Sequence, residues 1–97
     1  MGKFNLLDFL PEGQDNRITS RQLERTTNLK GTQIRAEVNR LRTAGAPIAS
    51  DANGYYIAAT PEELTSTIRN LQSRRNAMER AIEGLMEAKY NLIFEGE

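Results

Sequence analysis

The amino-acid sequence predicts a mainly α-helical protein with one small β-hairpin and a long carboxyl-terminal helix. Apolar residues recur at helical spacing in the first 45 residues, and two strand-like runs then flank a turn sequence. After Pro61, Gly84 is the one helix breaker before Gly96. The 97 residues suffice for one small core. Because the long helix begins near Pro61, we expect residues 1–59 to form a compact domain and residues 60–95 to form the long helix.

Two helices are predicted in the first 30 residues. The first spans residues 3–10 and stops before Pro11, and its apolar face consists of Phe4, Leu7 and Leu10. The second begins at Thr19 or Ser20, either of which can cap it, and has Leu23 as its clearest core residue. It ends near residues 26–28, because β-branched residues and asparagine are poor helix formers.

A third helix and a hairpin follow. The helix spans residues 32–44, with Gly45 at its carboxyl-terminal cap, and its buried face is predicted to consist of Ile34, Val38 and Leu41. Residues 47–50 and 55–58 have strand character and flank Asn53-Gly54, a dipeptide typical of hairpin turns. We expect a small core formed by Leu7, Leu23, Ile34, Val38, Leu41 and Ile57.

Two short helices, a tight turn and a following hairpin are the parts of a winged helix-turn-helix. Basic charge is concentrated in this region, because residues 17–45 contain seven basic side chains and two acidic ones. The complete chain has a net charge of zero. The pattern therefore predicts a local DNA-binding surface on a neutral chain.

The polar face of the third helix is the candidate surface. Thr32, Ala36 and Asn39 lie in its middle, and arginines lie along its edges. Short side chains allow close approach to the major groove, amide and guanidinium groups read base edges, and flanking arginines such as Arg42 contact phosphates. The candidate DNA-binding residues are Arg17, Arg21, Lys30, Thr32, Gln33, Arg35, Ala36, Asn39, Arg40 and Arg42. The alternative is an ordinary amphipathic helix with a solvated basic face.

The stretch LKGTQIRAEVNRLRTAGAPI, followed by GYYIA, resembles the amino-terminal winged helix-turn-helix of biotin operon repressors and related bacterial regulators. The resemblance covers roughly residues 3–60, and the matching residues are Ile34, Val38, Leu41, Arg42, Gly45, Gly54, Tyr55 and Ile57. It implies the same fold and a DNA-binding role. The family usually opens its recognition helix with Ser-Arg, whereas this chain has Lys30-Gly31, so Gly31 or Thr32 is expected to cap the helix here.

The predicted carboxyl-terminal helix has four heptads in phase. Its d positions are Leu64, Leu71, Met78, Leu85 and Leu92, and its apolar a positions are Ile68 and Ile82. Arg75 and Lys89 occupy the other a positions and favour a low oligomer number, so we expect a coiled-coil dimer. Arg74 and Glu79 can pair across a parallel dimer. An antiparallel pair or larger bundle stays open, because the apolar face is broadened by Ala81, Met86, Ala88 and Ile93.

A helix folded back on its own domain is the alternative to self-association. A 60-residue domain is only about 20–25 Å across, which is too small to cover so long a seam.

The leading functional interpretation is a small dimeric DNA-binding protein of bacterial or bacteriophage type that regulates transcription. The alternatives are a protein–protein adaptor and a phage replication or packaging accessory. Catalysis is not expected, because the chain has no histidine and no cysteine. Glu62 and Glu63 are explained as first-turn carboxylates, and Tyr55 and Tyr56 as one core and one exposed strand residue.

No cofactor, metal ion or membrane is expected as a partner. No stretch approaches the roughly 18 apolar residues that a membrane helix needs, and the first residues lack a signal-peptide pattern. We therefore expect a cytoplasmic protein whose partners are double-stranded DNA, a second copy of itself and, in the adaptor interpretation, another regulatory protein.

Overall fold

The structure, a computed structural model, describes residues 4–95 and is mainly helical. Its elements are α1 (Ser20–Thr27), α2 (Gly31–Thr43), β1 (Ile48–Asp51), β2 (Gly54–Ile57) and α3 (Pro61–Glu95), preceded by two short 3-10 turns. The predicted class, helices with one antiparallel hairpin and a long last helix, is confirmed. The chain divides into two compact units after Thr67, so the first two turns of α3 belong to the first unit.

The first segment differs from its prediction. The expected α-helix over residues 3–10 is wrong: one 3-10 turn, Leu6–Phe9, occurs there, and Lys3 lies outside the described residues. The turn starts late because the Asn5 side chain accepts a hydrogen bond from the Leu7 N–H (3.0 Å), and it ends early because the residue before Pro11 is extended. This geometry buries Leu6 completely and leaves Phe4 exposed.

A glutamine at the third position of each helix contributes to the caps of α1 and α2. Thr19 caps α1: its hydroxyl accepts from the Gln22 N–H (3.1 Å), while the Gln22 side chain accepts from the Thr19 N–H (2.9 Å). Lys30, and not the expected Gly31 or Thr32, precedes α2 as its N-cap. Because lysine has no side-chain acceptor, only Gln33 contributes a side-chain bond, accepting from the Lys30 N–H at 2.8 Å.

The core lies where α1, α2, the first 3-10 turn and β1 meet. Its buried members are Leu6, Leu10, Leu23, Ile34, Val38, Leu41 and Ile48. The prediction is confirmed for Leu23 and the apolar face of α2, whereas Leu7 and Ile57 are only partly buried against this cluster. Tyr56 is buried as one tyrosine was expected to be, but Tyr55 is also partly buried, so the expectation that the other is exposed is wrong.

The hairpin pairs Ile48 with Ile57 and Asp51 with Gly54, so Ala52 and Asn53 form its loop. Asn53-Gly54 is therefore not the centre of the turn. The Asp51 carboxylate accepts from the Asn53 N–H at 2.8 Å. Burial alone would raise the pKa of Asp51, but hydrogen bonds from Asn53 and Gln14 and the charge of Arg17 outweigh it and lower the pKa.

The chain before α1 covers the outer edge of β2. Ile18 forms two backbone hydrogen bonds with Tyr55, each of 2.9 Å, and Ile57 donates to the Pro11 carbonyl at 2.7 Å. These contacts satisfy backbone groups that an open sheet edge would leave unpaired. Gly54 (φ +150°) lies so close to Ile18 that a Cβ there would be 2.7 Å from the Ile18 carbonyl carbon.

The Glu63 side chain joins the first turn of α3 to the rest of the first unit. The Glu63 carboxylate accepts from the Ala59 N–H (2.7 Å) and the Gln14 N–H (3.0 Å), and these bonds lower its pKa. The Thr60 hydroxyl accepts from the Glu63 N–H, but the Glu63 carboxylate bonds the Ala59 N–H and not the Thr60 N–H that a capping box would use. No helix in the described part of the chain combines the length and apolarity that a membrane span requires.

Candidate nucleic-acid interface

The two faces of α2 differ as the sequence predicted. Ile34, Val38 and Leu41 are buried and hold the helix on the core. The opposite face is exposed and consists of Thr32, Gln33, Arg35, Ala36, Asn39, Arg40 and Thr43. The helix therefore presents short polar side chains and arginines to solvent along three turns.

Arg35 and Asn39 are the two groups on this face best suited to read a base edge. Both are exposed, and Ala36 between them has no side chain beyond its methyl group. The Arg35 guanidinium lies beside Gly31 at the start of α2, with Nη1 3.5 Å from the position that a Cβ would take there. The Glu24 carboxylate of α1 lies beside the same glycine, with Oε1 3.9 Å from that Cβ position. The start of α2 therefore has a positive and a negative side chain next to each other.

Arg40 is neutralised in part by a neighbour on its own helix. Its Nε donates to Glu37 Oε1 at 2.8 Å, and its Nη2 donates to the same oxygen. The hydrogen bond to Glu37 and the charge of that carboxylate raise the pKa of Arg40. Since the pair is exposed to water, which screens its charges, it contributes little to stability.

Arg42 joins α2 to β1. Its Nε donates to the Ile48 carbonyl (2.9 Å) and its Nη2 donates to Ser50 Oγ (3.0 Å). The side chain is partly buried. The sequence predicted a phosphate contact for Arg42. The two observed bonds were not predictable from helix periodicity, because their partners lie six and eight residues further along the chain, beyond the end of α2.

Arg17 also contacts the hairpin. Its Nε lies 3.5 Å from Asp51 Oδ1, and its Nη1 donates to the Gln14 carbonyl at 3.0 Å. Within residues 4–95, this ion pair and the Arg40–Glu37 pair are the two salt bridges. Arg17 therefore lies at the loop of the hairpin, whereas Arg21 lies exposed in the first turn of α1.

Between residues 17 and 45, four exposed basic side chains are in neither salt bridge: Arg21, Arg25, Lys30 and Arg35. Arg25 was not among the predicted contacts. It lies on α1, one turn after Arg21, so both share a face of that helix. The four-residue spacing of Arg21 and Arg25 is the sequence signal that places Arg25 on this face.

Thr67 is a residue of structural importance that the sequence did not reveal. It is buried, accepts from the Ser50 N–H (3.1 Å) and donates to the Ser50 carbonyl (3.3 Å). The hydroxyl thus satisfies both backbone groups of a residue on the free edge of β1. In the heptad pattern, Thr67 is only a polar neighbour of the seam, so periodicity cannot identify it.

The seam residues of α3 share one face of the helix and are largely uncovered. Leu64 is partly buried, whereas Ile68, Leu71, Met78, Ile82, Leu85 and Leu92 are between 41% and 78% exposed. Met86 and Ile93 are exposed beside them. Tyr90 and Phe94 form an exposed aromatic pair with ring centres 4.4 Å apart. So much exposed apolar surface on one element is typical of an interaction surface.

No family model, curated protein or solved structure matches the chain. Among the described residues, no three side chains of metal-binding type converge on one point. The candidate nucleic-acid interface consists of the exposed face of α2 with the basic residues of α1, and the seam on α3 is a separate candidate interaction surface.

Proposed function

We propose that the chain binds double-stranded DNA in a sequence-specific manner, as a small dimeric transcriptional regulator of bacterial or bacteriophage type. The observation that carries the proposal is the exposed face of α2, with Arg35 and Asn39 beside the small side chain of Ala36. An arginine reads guanine and an asparagine reads adenine in the major groove. The alanine between them permits the close approach that both contacts need.

The order of the elements supports the same proposal. Helix α1, a short turn, helix α2 and the hairpin follow one another as in a winged helix-turn-helix, whose second helix enters the major groove. Arg21, Arg25 and Lys30 are exposed beside α2 and supply positive charge for the phosphates on either side of the groove.

A second copy of the chain is the partner that the proposal requires. Helix-turn-helix proteins bind as dimers, in which each copy reads one half-site. The exposed heptad positions of α3 supply a surface for this pairing, and the described part of the chain does not bury them.

Arg35→Ala and Asn39→Ala test the recognition face. We expect each variant to bind a duplex selected from a random pool more weakly by about 1–3 kcal/mol, because each loses a base contact. Fluorescence anisotropy at fixed salt measures the affinity, and circular dichroism checks the fold. The matched control is Arg80→Ala, which removes an exposed arginine from the outer side of α3. If both variants bind the selected site as tightly as the parent, α2 is not the recognition helix.

Leu71→Asp and Ile82→Asp test the dimer. Each places a carboxylate where two helices exclude water, and separation of the helices avoids that desolvation cost. We expect both variants to sediment as monomers with a folded first unit, and to lose most of their affinity for a duplex with two half-sites. Ser73→Asp is the control, because it adds the same charge on the outer side of the helix. Retention of the parent's mass by the two seam variants would contradict the coiled-coil dimer.

A protein–protein adaptor is the second candidate, and one observation favours it. Arg17, Arg40 and Arg42 make contacts inside the chain, which reduces the positive charge available to phosphates. The salt dependence of binding to random duplex separates the two candidates. Phosphate contacts predict an affinity that falls steeply with salt, whereas an adaptor predicts no such binding.

A further inference from the structure

We propose that Glu24 determines specificity by making Arg35 favour a base edge over a phosphate. The inference rests on the proposed function, in which Arg35 reads a guanine in the major groove, and it names the kind of acceptor that this side chain takes. Two observations carry it: the position of the Glu24 carboxylate beside the Arg35 guanidinium, and the difference between Arg35 and Arg40 on the same helix.

The Glu24 and Arg35 side chains approach the same point at the start of α2, beside a residue without a side chain. Arg35 Nη1 lies 3.5 Å from the position that a Cβ would take at Gly31, and Glu24 Oε1 lies 3.9 Å from the same position. Glu24 is half-buried on α1, whereas Arg35 is exposed on α2. The separation of the two charged groups is inside the Debye length of about 8 Å at physiological ionic strength, so a ligand of Arg35 also experiences the carboxylate.

Arg40 shows the other way in which an arginine of α2 meets a carboxylate. Its guanidinium donates to Glu37 on the same helix through two nitrogens, so its charge is largely taken up within the chain. Arg35 and Glu24, by contrast, form no salt bridge within residues 4–95. The Arg35 guanidinium therefore keeps its donors for a ligand, while the carboxylate beside it adds negative charge to the site.

A carboxylate beside an arginine changes which acceptors that arginine favours. A phosphate carries a full negative charge, and a contact with Arg35 brings this charge close to Glu24. The O6 and N7 atoms of guanine are acceptors without a net charge, so the carboxylate repels them much less. Glu24 therefore raises the free energy of the phosphate-bound arrangement, which carries no sequence information, more than that of the guanine-bound one.

The size of the effect follows from Coulomb's law. Two unit charges of like sign roughly 7 Å apart lower an affinity about threefold at the dielectric constant of water, and more beside the less polarisable protein. Glu37 is the other acidic residue between positions 17 and 45, and it is bonded to Arg40. Loss of the Glu24 charge should therefore raise the affinity for random duplex and lower the specificity.

Glu24→Gln tests the inference, because it removes the charge and keeps the size of the side chain. Fluorescence anisotropy at about 0.1 M salt measures the affinity of the full chain for a selected duplex and for a random duplex. We expect the variant to bind the random duplex at least about threefold more tightly than the parent, and the selected duplex with little change. Glu62→Gln is the matched control, because it removes the same charge from an exposed side chain in the first turn of α3 and should leave the ratio of the two affinities unchanged.

The same substitution in an Arg35→Ala background shows whether the carboxylate acts through the arginine. Without the guanidinium, no phosphate is attracted to this point, so Glu24→Gln should then change the affinity for random duplex no more than the control does. Glu24→Asp retains the charge and should restore the ratio of the parent. Circular dichroism checks the fold of every variant.

The outcomes separate the inference from the proposed function. If the parent prefers its selected duplex and Glu24→Gln has the same preference, the role of Glu24 is overturned and the proposed function is left intact. The role is also overturned if Glu24→Gln raises the affinity for random duplex by as much in the Arg35→Ala background, because the carboxylate then acts on DNA without the arginine. A parent with no preference for any duplex contradicts the proposed function itself, and with it the guanine contact on which the inference rests.

Discussion

Replacement of Gly54 by alanine is the sharpest test of how the hairpin is held against the segment before α1. Gly54 has φ +150°, a backbone region that L-residues rarely adopt. A Cβ at this position would lie 2.7 Å from the Ile18 carbonyl carbon and 3.2 Å from the Thr19 Cα. These neighbours are backbone atoms, so no side-chain rotation can relieve the overlap.

The magnitude follows from two contributions. A strained backbone conformation costs about 1–3 kcal/mol. A shift of the two chains apart also weakens the two hydrogen bonds between Ile18 and Tyr55, each worth about 0.5–1.5 kcal/mol net. We therefore expect Gly54→Ala to lower the free energy of unfolding by about 2–6 kcal/mol, a large part of the roughly 5–15 kcal/mol of a typical domain.

Urea unfolding followed by far-ultraviolet circular dichroism measures this change, and Gly84→Ala is the matched control. Gly84 lies within α3, and apart from its two chain neighbours and the adjacent backbone of the same helix, no atom of the described chain is within 4 Å of its Cβ position. Alanine there should strengthen the helix by about 0.8–1.0 kcal/mol. The same substitution thus has opposite expected signs at the two glycines. An unfolding midpoint for Gly54→Ala equal to that of the parent would refute the close backbone approach.

Two further predictions concern the contacts of the first two turns of α3 with the rest of the first unit. Thr67→Val removes two hydrogen bonds to the half-buried Ser50, each worth about 0.5–1.5 kcal/mol net, and should lower the free energy of unfolding by about 1–3 kcal/mol. The exposed Thr65→Val should change it by less than about 0.5 kcal/mol in the same urea titration. The pKa of Glu63 is lowered from its ordinary value of 4.5, so its ionised form stabilises the fold above that pH, and this stabilisation is lost as the pH falls through the lowered pKa. Urea midpoints measured between pH 6 and about pH 3 should therefore fall less in Glu63→Gln than in the parent or in the control Glu62→Gln, and equal falls would contradict the role of Glu63.

Much of the fold follows from local sequence. Thr19 caps α1, Leu23 is buried, and α2 separates its apolar and polar faces, because each property depends on residues within one or two helical turns. The hairpin follows in the same way from two strand-like runs around a short polar turn. The length of α3 follows from Pro61 in its first turn and the near absence of breakers after it. The exposed groups on α2 that are proposed to read DNA were likewise predictable, because the 3.6-residue period of a helix determines which residues share its exposed face.

The tertiary structure decided which side chains are engaged elsewhere in the chain. Arg17 and Arg42 were expected on the DNA-binding surface, but they contact the hairpin, because folding brings Asp51, Ile48 and Ser50 beside them. The burial of Leu6, the half-burial of Tyr55 and the pairing of Thr67 with β1 have the same origin. No local pattern encodes these contacts: a helix period tells which face a residue occupies, whereas its partner depends on how distant segments pack against that face.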